Sequence, residues 1–575
     1  MKASDYIVSF ISERGVDTVF GYIGGMITHL VDSLARSEKV RYIQTYHEQT
    51  AAIAAEGYAI ENGKFGVAIS TSGPGATNMM TGIADAYFDS IPVLYITGQV
   101  NSYEYKYDKP IRQQGFQETD IVSIVKPITK YAAFVDDAKK LRYELEKAIH
   151  IATTGRKGPV LLDIAMNVQR TDINPEDLLG YTDNSNPIEE KYDLTEIVDL
   201  FSKSKRPMVL LGAGCIGNEI QKHLEDFVFN HKVPVVTSLM GRGAIDETYQ
   251  YYIGMVGSYG NRCANIAISQ TDLLIVLGSR LDTRQTGAKI DTFLTNGHIV
   301  HVDIDANELK YHRIHGQKNV NMDVLTFLQA LKSYSYKLSP SDRWHGYVLD
   351  IKAKYNQDKE IDRFVENKSP YKFIQFLNSL TKEGDVITTD VGQNQMWAAQ
   401  TIQMKKNMKF LTSGGLAPMG YSMPAAIGMA FANPNRTIYA LCGDGGFHMS
   451  VQSLMVISQY HLPIKIIVLN NSTLGMITQF QHLYFNNLMA GTTADGGYLV
   501  PDIKALAESY GLVYGCLSDK TAKDEAEAIL KNANLIEYKI DGLTTVCPKL
   551  EYNKPIESPI PSLSKEEMKD IIFKV

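Results

Sequence analysis

An aspartate set among glycines at the end of an apolar run, Cys442-Gly443-Asp444-Gly445-Gly446, is followed one helical stretch and one strand later by the pair Asn470-Asn471. Glycines at a strand end let backbone N–H groups approach an anion without interference from Cβ, and a helix N-terminus after them favours phosphate. An aspartate there would repel phosphate unless a cation lay between, so Asp444 reads as a ligand of a hard divalent ion. The run from Ile464 to Leu469 brings Asn471 back to the same sheet edge, where it can add an amide oxygen. A metal bridging to a diphosphate is the economical chemistry, and Mg²⁺ is the usual ion because it shares its octahedral oxygen ligands with phosphates. Taken alone, GDGG is a strand-end turn and NN a loop; the specificity lies in the pair. A helix is expected between them, from about Ser450 to His461.

GDG followed at this distance by NN resembles the thiamin-diphosphate binding motif, and the resemblance runs along the chain. VFGYIGG, YHEQTAAIAAEGYA, TSGPGATN, GFQETD, GPVLLDIAMNVQR, PVVTSLMGRGA, GSRLDTRQTG, TDVGQNQMWAA and SGGLAPMGYSMPAAIG occur in the order of the acetohydroxyacid (acetolactate) synthase large-subunit family, over about residues 1–545. The resemblance implies three α/β domains with doubly wound parallel sheets: pyrimidine-binding (1–170), central (190–335) and diphosphate-binding (365–545), followed by a tail over 546–575. It also implies a homodimer or homotetramer with active sites between the first domain of one subunit and the third of another.

By that resemblance Asp444, Asn471 and the Thr473 carbonyl hold Mg²⁺, and Glu48 hydrogen-bonds N1′ of the cofactor's aminopyrimidine, which favours the imino tautomer. Met419 props the cofactor into a bent shape, which is catalysis by proximity. Gly392, Gln393 and Asn394 correspond to the diphosphate-contacting loop, with asparagine where histidine is commoner and still able to donate. Pro74 and Asn78 fall near the pyrimidine, while Gly420, Gly443, Gly445, Gly446, Gly475 and Met476 complete the cofactor site. Gln117 corresponds to a glutamine that orients an oxygen at the reacting carbons, and Arg284 to an arginine facing the second substrate. Gly25, Met26, Phe116 and Phe480 fall on the acceptor side.

In the central region GAGCIG fits GxGxxG after an apolar strand, but no acid about 20 residues on is placed to hold a ribose, which disfavours NAD. The resemblance implies FAD instead, with Arg156, Gly212, Ala213, Gly214, Ser238, Leu239, Met240, Gly278, Arg280, Asp303, Ile304 and Asp323 as contacts. The family's Met-His is Ser258-Tyr259 here. The implied activity is decarboxylation of a 2-oxo acid, pyruvate above all, and transfer of its two-carbon unit to a carbonyl acceptor. Departures at Ile23, Met26, Met166, Ser258 and Phe480 cluster toward the acceptor and raise a larger one, such as the nucleotide-linked keto sugar of a yersiniose-type enzyme. Ordinary acetolactate synthesis and a pyruvate-oxidase-type flavoenzyme stay open beside it.

The elements that must position these residues follow from alternation of short apolar runs with helical patterns, the signature of parallel βα units. Runs at DTVFGY, GVAIST, IPVLYITG and GPVLLDIA belong to the first region. PMVLLGAG, VPVVTSL, DLLIVLGS and HIVHVDID belong to the second, and DVITTDVG, TIYALCGDG and PIKIIVLNN to the third. NPEDLLGYTDNSNPIEE reads as a linker, SPSDRWHGYVLDIKAKYNQDKEIDRFVENKSP as a polar segment ending the second region, and the Lys/Pro/Glu-rich stretch from about Pro548 as a tail. A net charge of -7 disfavours nucleic acid, and no apolar stretch reaches membrane-span length. The N-terminus lacks the pattern of a secretory signal, so a cytoplasmic protein is expected. Five scattered cysteines without a CxxC read as buried small hydrophobes.

Overall fold

Each apolar run named above is a strand in the computed structural model, which describes residues 1–183 and 193–574. The first sheet holds β1 (Thr18–Tyr22), β2 (Arg41–Gln44), β3 (Gly66–Ser70), β4 (Val93–Gln99), β5 (Tyr131–Val135) and β6 (Val160–Ala165). The second holds β7 (Pro207–Leu211), β8 (Val235–Thr237), β9 (Tyr252–Met255), β10 (Leu273–Leu277), β11 (His298–Asp303) and β12 (Lys318–Asn321). The third holds β13 (Val386–Thr389), β14 (Lys409–Leu411), β15 (Ile438–Gly443), β16 (Ile464–Asn470), β17 (Tyr514–Leu517) and β18 (Leu535–Lys539). All neighbouring strands are parallel, and central ones such as β3, β4, β7 and β10 are buried along their whole length, as a sheet covered by helices on both faces requires.

The strand orders are β2-β1-β3-β4-β6-β5, β12-β11-β10-β7-β8-β9 and β14-β13-β15-β16-β18-β17. The first and third are the same order, and the second is the doubly wound order of dinucleotide-binding folds. Ligands of such sheets bind where the order reverses, outside the carboxyl ends of the two strands that flank the reversal. In the third sheet those ends carry Asp390 to Gly392 and Gly443-Asp444. In the first they carry Ile23 to Met26 and Thr71 to Pro74. In the second they carry Gly212 to Gly214 and Gly278. The candidate residues thus gather at three points set by topology.

Some expectations need correction. The helix placed from about Ser450 begins at Asp444 itself and is split into Asp444–Met449 and Ser453–Gln459, so the aspartate occupies a helix N-terminus. The polar segment after the second region forms the helices Asp342–Tyr355 and Gln357–Phe364, and its Trp344 is fully buried. The tail is packed rather than loose: Leu550, Ile556, Leu563 and Ile571 are buried, and Arg262, paired with Glu360, donates to the carbonyls of Pro559 and Pro561. Cys516 is exposed, unlike the other four cysteines. The linker beyond residue 183, and with it the expected start of the central region at 190, lies outside the described residues.

The first and third sheets share one core. Helix Glu48–Asn62 crosses helix Ser422–Ala432 so closely that a Cβ on Gly57 would strike the Ala425 carbonyl and one on Gly428 the Ala54 carbonyl. Beside this crossing Glu56 is buried against Asp85, whose carboxylate accepts from Ser413 Oγ, while Asp89 accepts from the N–H groups of Gly414 and Gly415 at 2.9 and 2.8 Å. The positive charges of Arg280 and Arg284 act on Asp89 and oppose the effect of burial. Burial holds the Glu56 carboxyl well above the usual range and pushes Asp85 up to about 8 and Asp89 up to about 6. Carboxyls that bind protons more tightly folded than unfolded stabilise the fold at low pH and lose that contribution as pH rises through their folded values. The melting temperature should therefore fall between pH 5 and pH 9. Glu56→Gln should flatten the fall and melt several degrees above the wild type at pH 9, since one pKa unit is worth about 1.4 kcal/mol; parallel thermal scans of the two proteins check this.

Candidate active site

The third sheet builds one half of the site. Gly443 ends β15 and caps the helix that Asp444 opens, so the carboxylate stands at the positive end of a short helix. Asp444 is buried; Oδ1 accepts from Tyr498 Oη and from its neighbour Gly445 N–H, each at 2.7 Å, while Oδ2 is buried without a partner among the described residues. Burial pushes this carboxyl above its usual range. Asn471 spends its amide nitrogen on Thr544 Oγ1 at 2.9 Å, leaving its oxygen for a ligand. The Thr473 carbonyl accepts from Gly475 N–H at 2.8 Å and keeps a second lone pair. Among the described residues no group of three His, Cys, Asp or Glu side chains is placed to hold a metal ion. A cation at Asp444 would thus draw mainly on neutral oxygens and on a ligand's own, which is how Mg²⁺ binds.

The neighbouring loop agrees in part. Asn394 Nδ2, the donor a phosphate would need, reaches only the Val391 carbonyl at 3.5 Å, and Gly392 has φ +131°, a backbone conformation that residues with a side chain rarely adopt. Gln393 departs from the expectation. Its side chain is buried in a network with Thr544 and Gln479, donating to Gln479 Oε1 at 3.2 Å and to the Thr544 carbonyl at 3.0 Å. The Gln393 amide side chain is therefore committed to structure, and a Cβ on Gly475 would strike it. Met476 packs on the core behind this network. Met419 lies over the start of the Asp444 helix, its Cε 2.9 Å from where a Cβ on Gly445 would stand. A cavity of about 230 Å³ is lined there by Met419, Asp444, Gly445, Leu474 and Tyr498. Asp390, which the sequence reading did not single out, fixes this turn by accepting from Gly420 N–H at 2.9 and 3.0 Å and from Ser422 N–H at 3.2 Å.

The first sheet builds a separate half. Glu48 opens its helix and is buried; Oε2 accepts from Asn78 Nδ2 at 2.9 Å, and Oε1 lies 3.3 Å from where a Cβ on Gly75 would stand. Thr71 Oγ1 accepts from Met26 N–H at 3.2 Å, and Gln117 backs onto Gly73 with φ +63°, strained for a residue with a side chain. Pro74 and Asn78 begin and end the short helix after β3 and are exposed. Among the described residues no hydrogen bond joins Glu48, Asn78 or Gln117 to Asp444, Asn471 or Met419 of the same chain. Large apolar side chains stand exposed beside both halves: Ile23, Phe116 and Tyr46 near the first, Met449, Phe480 and Leu499 near the third.

At the reversal of the second sheet is a cavity of about 720 Å³. Arg156, Ala213, Gly214, Ser238, Leu239, Met240, Gly278, Arg280, Asp303, Ile304 and Asp323 line it, with Ser258, Tyr259 and Arg284 on the same wall. Gly212 is the exception: it is absent from the lining and packs against the Gly278 carbonyl and Ser279. Arg156 is held by Asp305 at 3.1 Å and Glu308 at 2.6 Å, and Asp323 is engaged as a helix cap.

Glu118 is a second residue that the sequence reading passed over. Its buried carboxylate accepts from the N–H groups of Lys106, Gln114 and Gly115 at 2.9, 2.7 and 2.9 Å, folding the loop that presents Phe116 and Gln117. Charge-assisted bonds to backbone N–H are worth roughly 1.5–3 kcal/mol each. Glu118→Ala should loosen this loop and lower the melting temperature by several degrees, and limited proteolysis should cut between 105 and 117 faster than in the wild type.

Comparison with known proteins fits this geometry. Residues 1–124, 194–331 and 390–546 match the N-terminal TPP binding domain, the central domain and the C-terminal TPP binding domain of the thiamine pyrophosphate enzymes. The chain is 36% identical over 561 residues to the acetolactate synthase isozyme 2 large subunit of Escherichia coli, covering 95% of this chain and 97% of that one. It is 37% identical to a probable acetolactate synthase large subunit of Methanocaldococcus jannaschii, covering 94% and 92%, and 35% identical to the chloroplastic acetolactate synthase of Arabidopsis thaliana, covering 96% and 82%. With three matching domains in order and relatives aligned over nearly its whole length, the chain belongs to the thiamine pyrophosphate enzymes, among the acetolactate synthase large subunits and their kin.

Proposed function

We propose that the protein decarboxylates pyruvate and joins the remaining two-carbon unit to a carbonyl acceptor, using thiamin diphosphate and Mg²⁺. The observation that carries this reading is the third-sheet half site: a buried carboxylate oxygen without a partner beside an asparagine whose amide nitrogen is already spent. Those donors fit a divalent cation, and Asp444, Asn471 and the Thr473 carbonyl would hold it. Asn394 and the N–H groups at the start of helix Gln393–Thr401 would receive the diphosphate. Thiamin diphosphate, when bound, supplies the electron sink that lets a 2-oxo acid lose carbon dioxide. Glu48, anchored by Asn78, would hold a proton at N1′ of the aminopyrimidine through Oε1, and Met419 would fix the ring's bend. Gln117 would orient the acceptor oxygen.

The two half sites sit on different sheets with exposed apolar side chains beside each, and this supports a homo-oligomer in which one subunit's Glu48 meets another's Asp444. We take the pyrimidine-binding domain as 1–170, the central domain as 190–335 and the diphosphate-binding domain as 365–545. The central cavity falls in the range of cofactor pockets, roughly 300–1,000 Å³, and its lining supports FAD. A flavin absorbance band in the purified protein, or its appearance on adding FAD, tests that assignment; a protein that stays colourless overturns it.

For the acceptor, the relatives' names support a second pyruvate, giving acetolactate. Phe480, 45% exposed on helix Gly475–Tyr484 that follows Asn471 and Thr473, and the small Ser258 support a second reading with a larger acceptor, of which a nucleotide-linked keto sugar is one. Product analysis by mass spectrometry with pyruvate alone, and with pyruvate plus such a sugar, separates them.

Asp444→Ala removes the only carboxylate of the metal set, so thiamin diphosphate should be lost on desalting in Mg²⁺, read by cofactor content per subunit. Glu48→Gln should keep the cofactor but lower carbon dioxide release from pyruvate by about 100-fold or more, as expected for loss of a positioned acid–base group. Wild-type rates in the second variant would remove Glu48 from the chemistry.

A further inference from the structure

Lys549 has no role in the reading above, yet its placement is unusual. The residue is only 7% exposed, and among the described residues no carboxylate lies within ion-pair distance of its ammonium and no hydrogen bond is made by it. What faces it is aromatic: Nζ stands 5.5 Å from the ring centroid of Phe480 and 5.8 Å from that of Tyr484. Glu551 acts on it only from longer range, and burial pulls its pKa down. Lysines are almost never buried unless paired, and a desolvated ammonium attracts an anion more strongly than an exposed one does.

Its position is fixed rather than accidental. Val546 exchanges hydrogen bonds with the Gln479 side chain at 2.9 and 3.2 Å, which ties this segment to helix Gly475–Tyr484. Lys549 itself exchanges backbone bonds with Ile560 at 3.1 and 2.8 Å. Leu550 N–H donates to the Ser258 carbonyl and Ser258 N–H donates to the Arg284 carbonyl, both at 2.7 Å. One hydrogen-bonded step on either side of Ser258 therefore joins the backbones that carry Lys549 and Arg284. Arg284 is likewise without an ion-pair partner among the described residues and faces the large cavity. Tyr259, the residue after Ser258, feels both Arg284 and Tyr484.

We propose that Lys549 is a specificity-determining residue which, together with Arg284, selects an acceptor carrying an anionic group in addition to its reacting carbonyl. The proposal rests on the reading that Phe480 and Arg284 face the acceptor. One cation suffices for the carboxylate of a simple 2-oxo acid; a second, set apart on another segment and walled by aromatic rings, suits a phosphate or a second carboxylate farther from the carbonyl. The rings of Phe480 and Tyr484, themselves partly exposed, stand beside the ammonium and could stack on the body of such an acceptor.

Wild type, Lys549→Met and Lys549→Arg, each loaded with thiamin diphosphate and Mg²⁺, are compared with pyruvate as donor and two matched acceptor pairs. One pair is a nucleoside-diphosphate-linked 4-keto-hexose against the free 4-keto-hexose; the other is 2-oxoglutarate against 2-oxobutyrate. Wild type should prefer the more charged member of at least one pair, and the pair preferred tells phosphate from carboxylate. Lys549→Met should raise KM for that member at least about tenfold with its kcat and the less charged member nearly unchanged, and Lys549→Arg should restore it. Carbon dioxide release from pyruvate alone is measured in the same samples. If the wild type releases none, the carboligase reading fails; if release is normal but wild type shows no preference, or Lys549→Met keeps it, only the role of Lys549 is overturned.

Discussion

Two helices meet where carbonyl oxygens occupy the space that side chains of Gly57 and Gly428 would fill, and the arrangement of the chemistry hangs on that contact. The first of these helices starts at Glu48. The second starts just past the Met419-Gly420 turn that Asp390 clamps. Because neither backbone can retreat without opening a void between two sheets, Glu48 and Met419 keep a fixed relation within the chain. A second copy that completed the site, as proposed above, would have to accept that spacing.

Around this crossing the molecule repeats one plan. The first and third sheets share a strand order, but the loops beyond their strands differ in what they bury. In the third unit the glycine-rich turn after β15 buries an aspartate oxygen without a partner among the described residues. In the first, a glutamate at the helix start beyond the edge strand β2 accepts from an asparagine. The second unit is clamped to the third by the buried pair Arg242 and Glu247, with Arg242 donating to the carbonyls of Ala399 and Ile402 and Glu247 accepting from Met404 N–H. Buried ions of this kind cost desolvation energy and give geometry in return.

How much of this is legible in the sequence depends on how local the signal is. Strands buried on both faces are mostly continuous apolar runs, and eleven of the eighteen strands were read that way; β9 and β18, also largely buried, were passed over because a glycine or a glutamate interrupts their short runs. Missed strands such as β2, β12 and β14 sit at sheet edges with half-exposed, mixed residues, where no periodicity survives. Asp444 and Asn471 stood out because a glycine-flanked aspartate and a pair of asparagines occur together at that spacing, each alone being an ordinary turn or loop. Asp390 and Glu118 did not, since an acid that accepts only backbone N–H groups looks like any other acid until the loop around it is folded. For Gln393 the sequence could not show that a neighbour 151 residues away, Thr544, engages its side chain and leaves only its backbone for a ligand. Trp344 inside a polar stretch was a signal of burial that charge around it obscured.

The packing of the last segment also sets an order of events in synthesis. Ile571 and Phe573 close the core in which Trp344, Met208 and Leu274 lie, so a unit whose first strand is made near residue 207 is finished by residues made some 360 positions later. While the ribosome is translating the third unit, the second has its strands and Trp344 but not Ile571 and Phe573, which cover them. Neither the first unit, whose core is shared with the third, nor the second can be completed before the later residues arrive, and apolar surface on both is open in that interval.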